Sequence, residues 1–95
     1  MTSPLTVSRP VRVMDNLGLH ARPAAKVART ARQFQSDIFL SWRGVSADAK
    51  NILDILFLSA PHNACLTLLC SGNDASEAAE SLARLFQHPL LTESS

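Results

Sequence analysis

The sequence predicts an α+β fold in which three helices cover one face of a four-stranded antiparallel sheet. Four short segments alternate apolar and polar residues, as half-buried strands do. Three segments with the period of amphipathic helices lie between or after them, in the order βαββαβα. Strands that are apolar on one side need a single covering layer, so the other face of the sheet is expected to stay wet.

Length and composition fit one domain. With 95 residues and 46% hydrophobic content, the chain can form one core but not two. We expect a single domain over residues 1–95, with its core at about 7–87 and a frayed tail at 88–95.

The first strand is predicted over residues 5–13, LTVSRPVRV, where Pro10 interrupts the alternation. A proline inside such a run favours an edge strand or a bulge. The first helix is predicted over residues 21–34, and its period separates a buried face from a solvated one. The buried face comprises Ala24, Val27, Ala28, Ala31 and Phe34, and the solvated face Arg22, Lys26, Arg29 and Gln33.

Two further strands, 38–42 and 45–49, flank Arg43 and Gly44. This spacing predicts a tight hairpin with Gly44 at positive φ. Trp42 is interpreted as strand packing, because no second aromatic lies at the spacing of RNA-binding motifs.

The apolar run ILDILFL follows Asn51 and is stopped by the next proline. A strand is one interpretation, but an Asn-capped helix is favoured. We expect Ile55 and Leu58 to point inward, and Ile52 and Leu56, four residues apart, to stay exposed. The alternative is a helix buried almost all round.

The last strand is predicted over 65–70, CLTLLC, whose Leu66, Leu68 and Cys70 share the covered face. After it, DASE at 74–77 has the pattern of a capping box that opens a third helix. The inward residues of this helix are predicted to be Ala78, Ala79, Leu82, Leu85 and Phe86.

The net charge of +1 argues against strong nonspecific binding of nucleic acid. The basic residues are nevertheless distributed unevenly along the chain, since residues 16–36 contain four of them and no acid. An acidic protein face would suit that surface.

Two cysteines cannot build a disulfide framework, and no apolar run is long enough for a membrane span. We expect a cytoplasmic monomer without a signal peptide.

A metal site is not favoured. His62 and Cys65 have the H-x-x-C spacing, with Cys70 nearby, but three ligands at most fall short of a structural zinc set. Cys70 is better explained as a small core residue. We therefore expect neither a metal nor a cofactor.

The stretch NLGLHARPAAK, residues 16–26, places His20 just before a proline that suits the first turn of a helix. Free amide N–H groups and the helix dipole favour an anion there by about 0.3–1 kcal/mol, and Arg22 adds a charged donor. Gly18 would let the loop bend and a partner's backbone approach, while Pro23 leaves the preceding amides free. A neutral ring at this positive end could attack a phosphoryl group. From chemistry alone, a solvated histidine beside a helix start stays an open alternative.

Residues 18–24, GLHARPA, resemble the active-site signature of HPr, the histidine-containing phosphocarrier family of the bacterial phosphoenolpyruvate-dependent phosphotransferase system. The resemblance extends from about residue 7 to 87. It implies an open-faced β-sandwich, a phosphoryl group carried on Nδ1 of His20, and stabilisation of that group by Arg22. The loop around the phosphoryl group would be completed by Gly18, Ala21 and Pro23.

The resemblance also implies partners. His20 would take the phosphoryl group from enzyme I and pass it to an enzyme IIA domain, for sugar uptake or a regulatory branch, and the protein would be a carrier rather than an enzyme. The recipient stays open. Partner contacts are expected on the first two helices, at Ala21, Ala25, Lys26, Ile52 and Leu56.

Two positions depart from the family pattern. Many members have a serine at the start of the second helix that a dedicated kinase phosphorylates, whereas this chain has Asn51, which keeps the cap but has no hydroxyl. We expect that switch to be absent. Residues 59–63, SAPHN, stand where members usually have glycines, and Asn63 can take a left-handed turn.

A second hypothesis is a noncatalytic interaction module that keeps the fold and binds a regulator. Its contact residues would be Arg22, Lys26, Ile52 and Leu56. A substituted histidine would favour this hypothesis, but His20 is intact.

Overall fold

The computed structural model describes residues 5–87 and confirms the α+β class and the element order. The tail predicted at 88–95 lies outside these residues. The elements are β1 Thr6–Arg12, α1 Ala21–Ala31, β2 Asp37–Trp42, β3 Val45–Asp48, α2 Ile52–Phe57, β4 Cys65–Ser71 and α3 Ala75–Phe86.

The four strands form one antiparallel sheet in the order β1-β4-β2-β3. β1 pairs with β4 over its whole length, with Thr6 opposite Ser71 and Arg12 opposite Cys65. Pro10 therefore lies in an edge strand, as predicted, and the alternative of a bulge is wrong because the register runs through it without a break.

The core lies between one face of the sheet and the helices. Residues of β4 alternate strictly, and Leu66, Leu68 and Cys70 are buried as predicted. α3 packs on β1 and β4, and α1 packs on both other helices. The helices meet the core largely through fully buried alanines, which allow close approach. The opposite face of the sheet exposes Phe39 and Leu69, which are register partners.

α1 is shorter than predicted, because its last turn tightens. The N–H groups of Gln33 and Phe34 donate to carbonyls three residues back, and Arg32 is the C-cap. Arg32 Nε then donates to the carbonyl of Lys50 at 2.8 Å, and Lys50 Nζ donates to the carbonyl of Phe34 at 2.8 Å. These two bonds join the end of α1 to the segment that precedes α2.

The hairpin between β2 and β3 has a two-residue turn. Gly44 has φ +79°, as predicted, and Arg43 has φ +52°, which the sequence did not indicate. Positive φ at both residues is the signature of a type I′ turn. The Arg43 guanidinium lies 4.7 Å from the centre of the Trp42 ring, which packs against the core as predicted.

α2 is the Asn-capped helix that the sequence favoured. The Asn51 side chain accepts a hydrogen bond from the N–H of Asp54 at 3.2 Å. Ile55 and Leu58 are buried, as predicted.

The capping box predicted for α3 is wrong. Asp74 is the N-cap, but its side chain caps no N–H of the helix, because φ −105° and ψ 27° lie outside the extended conformation usual for a cap. Its carboxylate instead accepts from the N–H groups of Gln35 and Ser36, each at 2.9 Å, and from the Ser36 hydroxyl. The start of α3 is thereby tied to the start of β2. The predicted inward residues of α3 are buried except Leu85, which is half-buried.

These hydrogen bonds, above all that from the Ser36 hydroxyl, hold the pKa of the Asp74 carboxyl below its ordinary value. A lowered native pKa gives a stabilisation that is full above the ordinary carboxyl pKa of about 4 and is lost as the pH falls through the lowered value. We expect Asp74→Asn to lower the thermal midpoint at neutral pH and to approach the wild type in acid. Circular dichroism melts across the acid range measure this, with Glu77→Gln in the same turn as control. A gap that stays constant with pH contradicts the prediction.

Candidate functional site

His20 is the residue from which α1 begins. It has extended backbone angles, φ −91° and ψ −164°, and its side chain makes no capping hydrogen bond. Its carbonyl accepts the N–H of Ala24 at 2.9 Å, which closes the first turn. The sequence placed His20 at this helix mouth correctly, and the ring is not occupied by the usual capping role.

The two ring nitrogens of His20 differ in their surroundings. Nε2 is buried and has no hydrogen-bond partner within residues 5–87, whereas Nδ1 is not among the buried, unpartnered atoms. A neutral imidazole has one N–H and one lone pair. The geometry therefore leaves Nδ1 as the more accessible of the two ring nitrogens.

The start of α1 offers donors but no acid. No backbone hydrogen bond in the described residues uses the N–H of Ala21 or Arg22, and Pro23 has none to give. The Arg22 side chain is exposed and makes no ion pair or hydrogen bond within residues 5–87. Two amides and one guanidinium are thus available to an anion beside His20.

The position of Gly18 has no room for a side chain. Its φ is +79°, and a Cβ added there would lie 2.6 Å from the carbonyl oxygen of Ala60. That oxygen also accepts the N–H of Leu19 at 2.9 Å. The expectation that Gly18 admits a partner's backbone is corrected, because the backbone that approaches it belongs to this chain.

The loop of residues 13–20, which leads into His20, lies against residues 59–64. The N–H of Val13 donates to the carbonyl of Ala64 at 2.9 Å, and the N–H of Asn63 donates to the carbonyl of Val13 at 2.8 Å. Asn63 has positive φ, as predicted, and so does Ser59. Residues 59–64 therefore form a wall behind the loop that carries His20.

An open cleft of ≈ 390 Å³ adjoins His20. Apolar side chains supply most of its lining, among them Leu17, Leu56 and Pro61. Leu17 is 78% exposed, although it directly precedes Gly18. The surface next to the histidine is thus apolar on one side and basic on the other.

The exposed face of α2 differs from the prediction. Ile52 and Leu56, expected to be exposed, are half-buried and pack against the core. Leu53 is 62% and Phe57 77% exposed. Ile55 marks the centre of the buried stripe, and positions two residues to either side of it turn away from the core. The alternative of a helix buried almost all round is also wrong.

The remaining predicted contact residues lie on α1, and the regulatory position lies at the start of α2. On α1, Ala21 is exposed, and Ala25 and Lys26 are half-buried. Asn51 is exposed at the start of α2. The sequence missed Leu17, whose only signal was a large apolar residue in a loop.

Other candidate chemistry is absent from the described part of the chain. Cys65 is exposed and Cys70 buried, both as free thiols, and burial, followed by the charge of Asp74, raises the pKa of Cys70. No group of three metal-binding side chains comes together within residues 5–87. No helix there is both long and apolar enough to cross a membrane.

Fold and site define a class of small α+β proteins that present one histidine at a helix N-terminus. The family profile described as "PTS HPr component phosphorylation site" matches residues 7–88. The phosphocarrier protein HPr of Xylella fastidiosa strain Temecula1 is 36% identical over 76 residues, which cover 80% of this chain and 85% of that protein. The chain belongs to the HPr family, and the resemblance noted in the sequence is confirmed.

The similarity to solved structures also supports membership of the HPr family. The crystal structure of HPr from Bacillus anthracis is 38% identical and has a TM-score of 0.82, with 86% of this chain and 98% of that one covered. The crystal structure of Crh, described as a Bacillus subtilis catabolite repression protein, is 37% identical with a TM-score of 0.72, covering 90% and 99% of the two chains. That Crh is described as a dimer with a swapping domain.

Proposed function

We propose that the protein is a phosphocarrier that accepts a phosphoryl group on Nδ1 of His20 from phosphorylated enzyme I and passes it to an enzyme IIA domain. The observation that carries this proposal is the His20 ring, which caps nothing and shelters Nε2 beside two free amides. The Nδ1 lone pair attacks phosphorus, and the bond from phosphorus to the donor's leaving atom breaks with its electron pair. The ring proton stays on Nε2.

Arg22 is the residue proposed to stabilise the phosphoryl oxygens, together with the amides of Ala21 and Arg22. A charge-assisted hydrogen bond contributes about 1.5–3 kcal/mol, enough to orient the group without burying it. Pro23 fixes φ in the first turn and leaves the preceding amides free, and Gly18 lets the loop lie against Ala60. No metal or cofactor is needed for this chemistry.

The partner surface is proposed to combine an apolar and a basic half. Its apolar half is centred on the exposed Leu17, Leu53 and Phe57, with Ile52 and Leu56 at its margin. Its basic half lies on α1 and comprises Arg22 and Lys26, with Ala21 and Ala25 between them. Exposed aliphatic and aromatic side chains rimmed by positive charge suit a transient complex with an acidic protein face.

Phe57→Ser is expected to raise the KM of enzyme I for the carrier about tenfold, because an exposed aromatic is lost from the docking surface. Thermal stability should hardly change, since Phe57 is exposed. Leu69→Ser, on the uncovered face of the sheet, is the matched control. Equal KM values for the two variants contradict this surface.

The test of the function itself is direct. Incubation with labelled phosphoenolpyruvate and enzyme I should give an acid-labile, base-stable phosphoramidate, and peptide mapping should place it on His20. Label on His62, or no label, refutes the proposal. Transfer assays against several enzyme IIA proteins then identify the sugar or regulatory branch.

We further propose that control by a kinase at the start of α2 is absent, because Asn51 has no hydroxyl. The same proposal places a monomeric carrier in the cytoplasm, outside membranes and without nucleic-acid partners. Size measurement by light scattering separates this state from a dimer like that described for Crh.

A regulatory interaction module is the second candidate, and the similarity to Crh, described as a catabolite repression protein, favours it. Binding of a regulator that survives His20→Ala but is lost in Leu53→Asp would support this candidate over phosphoryl transfer. Leu53 suits the test better than Leu56, which is half-buried.

A further inference from the structure

The wall formed by residues 59–64 contacts the loop of residues 13–20 through the side chain of His62 as well as through backbone bonds. The ring nitrogen Nδ1 of His62 lies 3.1 Å from the carbonyl oxygen of Asp15. This oxygen also accepts the N–H of Gly18 at 2.9 Å, which closes the turn of residues 15–18. His62 thus binds the turn that immediately precedes His20.

The chemistry of this contact sets the tautomer of His62. A carbonyl oxygen can only accept, so Nδ1 of His62 must carry the proton and donate it. Neutral imidazole then leaves Nε2 of His62 without a proton, facing away from this bond. The imidazole is otherwise exposed, so the bond to Asp15 is its structural role within the described residues.

The turn governs the placement of His20. Gly18 is pressed against Ala60, and Leu19 is buried with its N–H bound to Ala60. The chain then enters α1 at His20, whose Nε2 is enclosed. Small displacements of the turn therefore move the ring nitrogen that is open to a phosphoryl group, and a shift of about 1 Å in a reacting group can cost roughly a hundredfold in rate.

We propose that His62 is a positioning residue for phosphoryl transfer to His20, acting through the hydrogen bond from its Nδ1 to the Asp15 carbonyl. This inference rests on the proposed function of His20. His62 contacts no phosphoryl oxygen in this role. Its effect is on the orientation of the His20 ring, and so on the rate of transfer within the complex.

The experiment compares His62→Asn, His62→Gln and His62→Leu in the full chain. The asparagine amide nitrogen falls close to the place of Nδ1, whereas the glutamine amide reaches about to that of Nε2. We expect kcat for phosphorylation by enzyme I to fall about tenfold in the leucine and glutamine variants and to recover in the asparagine variant, with KM for the carrier unchanged.

Nuclear magnetic resonance supplies a measurement that does not depend on transfer. In the wild type the neutral His62 ring should show a protonated Nδ1. The amide signals of Gly18 and Leu19 and the ring signals of His20 should shift in the leucine and glutamine variants and stay in place in the asparagine variant.

The results distinguish failure of the proposed role of His62 from failure of the proposed function of His20. Wild-type kcat in the leucine variant, with or without a loss of thermal stability, overturns the proposal, and so does an asparagine variant as slow as the glutamine one. A wild-type chain that takes no label refutes the proposed function instead. The amide and ring signals then still show whether His62 sets the geometry of the loop.

Discussion

His20→Ala is expected to abolish phosphoryl acceptance from enzyme I while leaving the fold intact. The nucleophilic nitrogen is removed, and no other described side chain takes its place at the start of α1. Stability should stay within about 1 kcal/mol, because the His20 side chain makes no hydrogen bond that the helix would lose. Residual label in the variant, measured by phosphopeptide mapping, contradicts the assignment.

His20→Ser extends this prediction to stability. Serine is a strong N-cap, and its hydroxyl can accept the N–H of Arg22, although Pro23 removes the other usual capping donor. We expect a gain of about 0.5–1 kcal/mol in the free energy of unfolding, together with complete loss of label. Urea denaturation measures the gain. An unchanged or lower value would show that the histidine already stabilises the helix start.

Gly18→Ala is expected to cost about 3 kcal/mol in the free energy of unfolding. A left-handed backbone costs a residue with a Cβ about 1–2 kcal/mol, and the overlap with the Ala60 oxygen adds the cost of displacing a carbonyl that holds Leu19. Phosphorylation of His20 should slow as well, because the displaced turn leads directly into it.

Gly44→Ala is the matched control for Gly18→Ala. Both glycines have φ +79°, but a Cβ at Gly44 meets no atom within 4 Å. Its cost should therefore be about 1 kcal/mol, from the backbone alone. Equal losses in the two variants, measured by urea denaturation, would show that the contact with Ala60 contributes nothing.

The elements were predictable where a local period determines burial. β4 alternates residue by residue, and Pro10 in β1 indicated the sheet edge correctly. The ends of helices depend on partners that are distant in the chain. The Asp74 carboxylate binds Ser36, which is 38 residues away in the chain. This tertiary contact replaces the local cap that the capping-box pattern predicted, and a short stretch of sequence does not reveal it.

The candidate site likewise combines features that the local sequence determines with contacts between residues distant in the chain. His20, Arg22 and Pro23 lie within four consecutive residues, so their placement at the helix start followed from helix chemistry alone. The contact of His62 with Asp15 joins residues 47 apart, and only the fold brings them together. The outer face of α2 was misassigned because ILDILFL has a single polar residue, which leaves the direction of the buried stripe undetermined by composition.

Both edges of the sheet are poor templates for another strand. β1 includes Pro10, which lacks a backbone donor, and β3 is only four residues long. Leu17, Leu53 and Phe57 lie instead on a loop and a helix, where contact uses side chains and not backbone ladders. The proposed docking surface can therefore stay exposed while the edges of the sheet offer little to templated fibre growth.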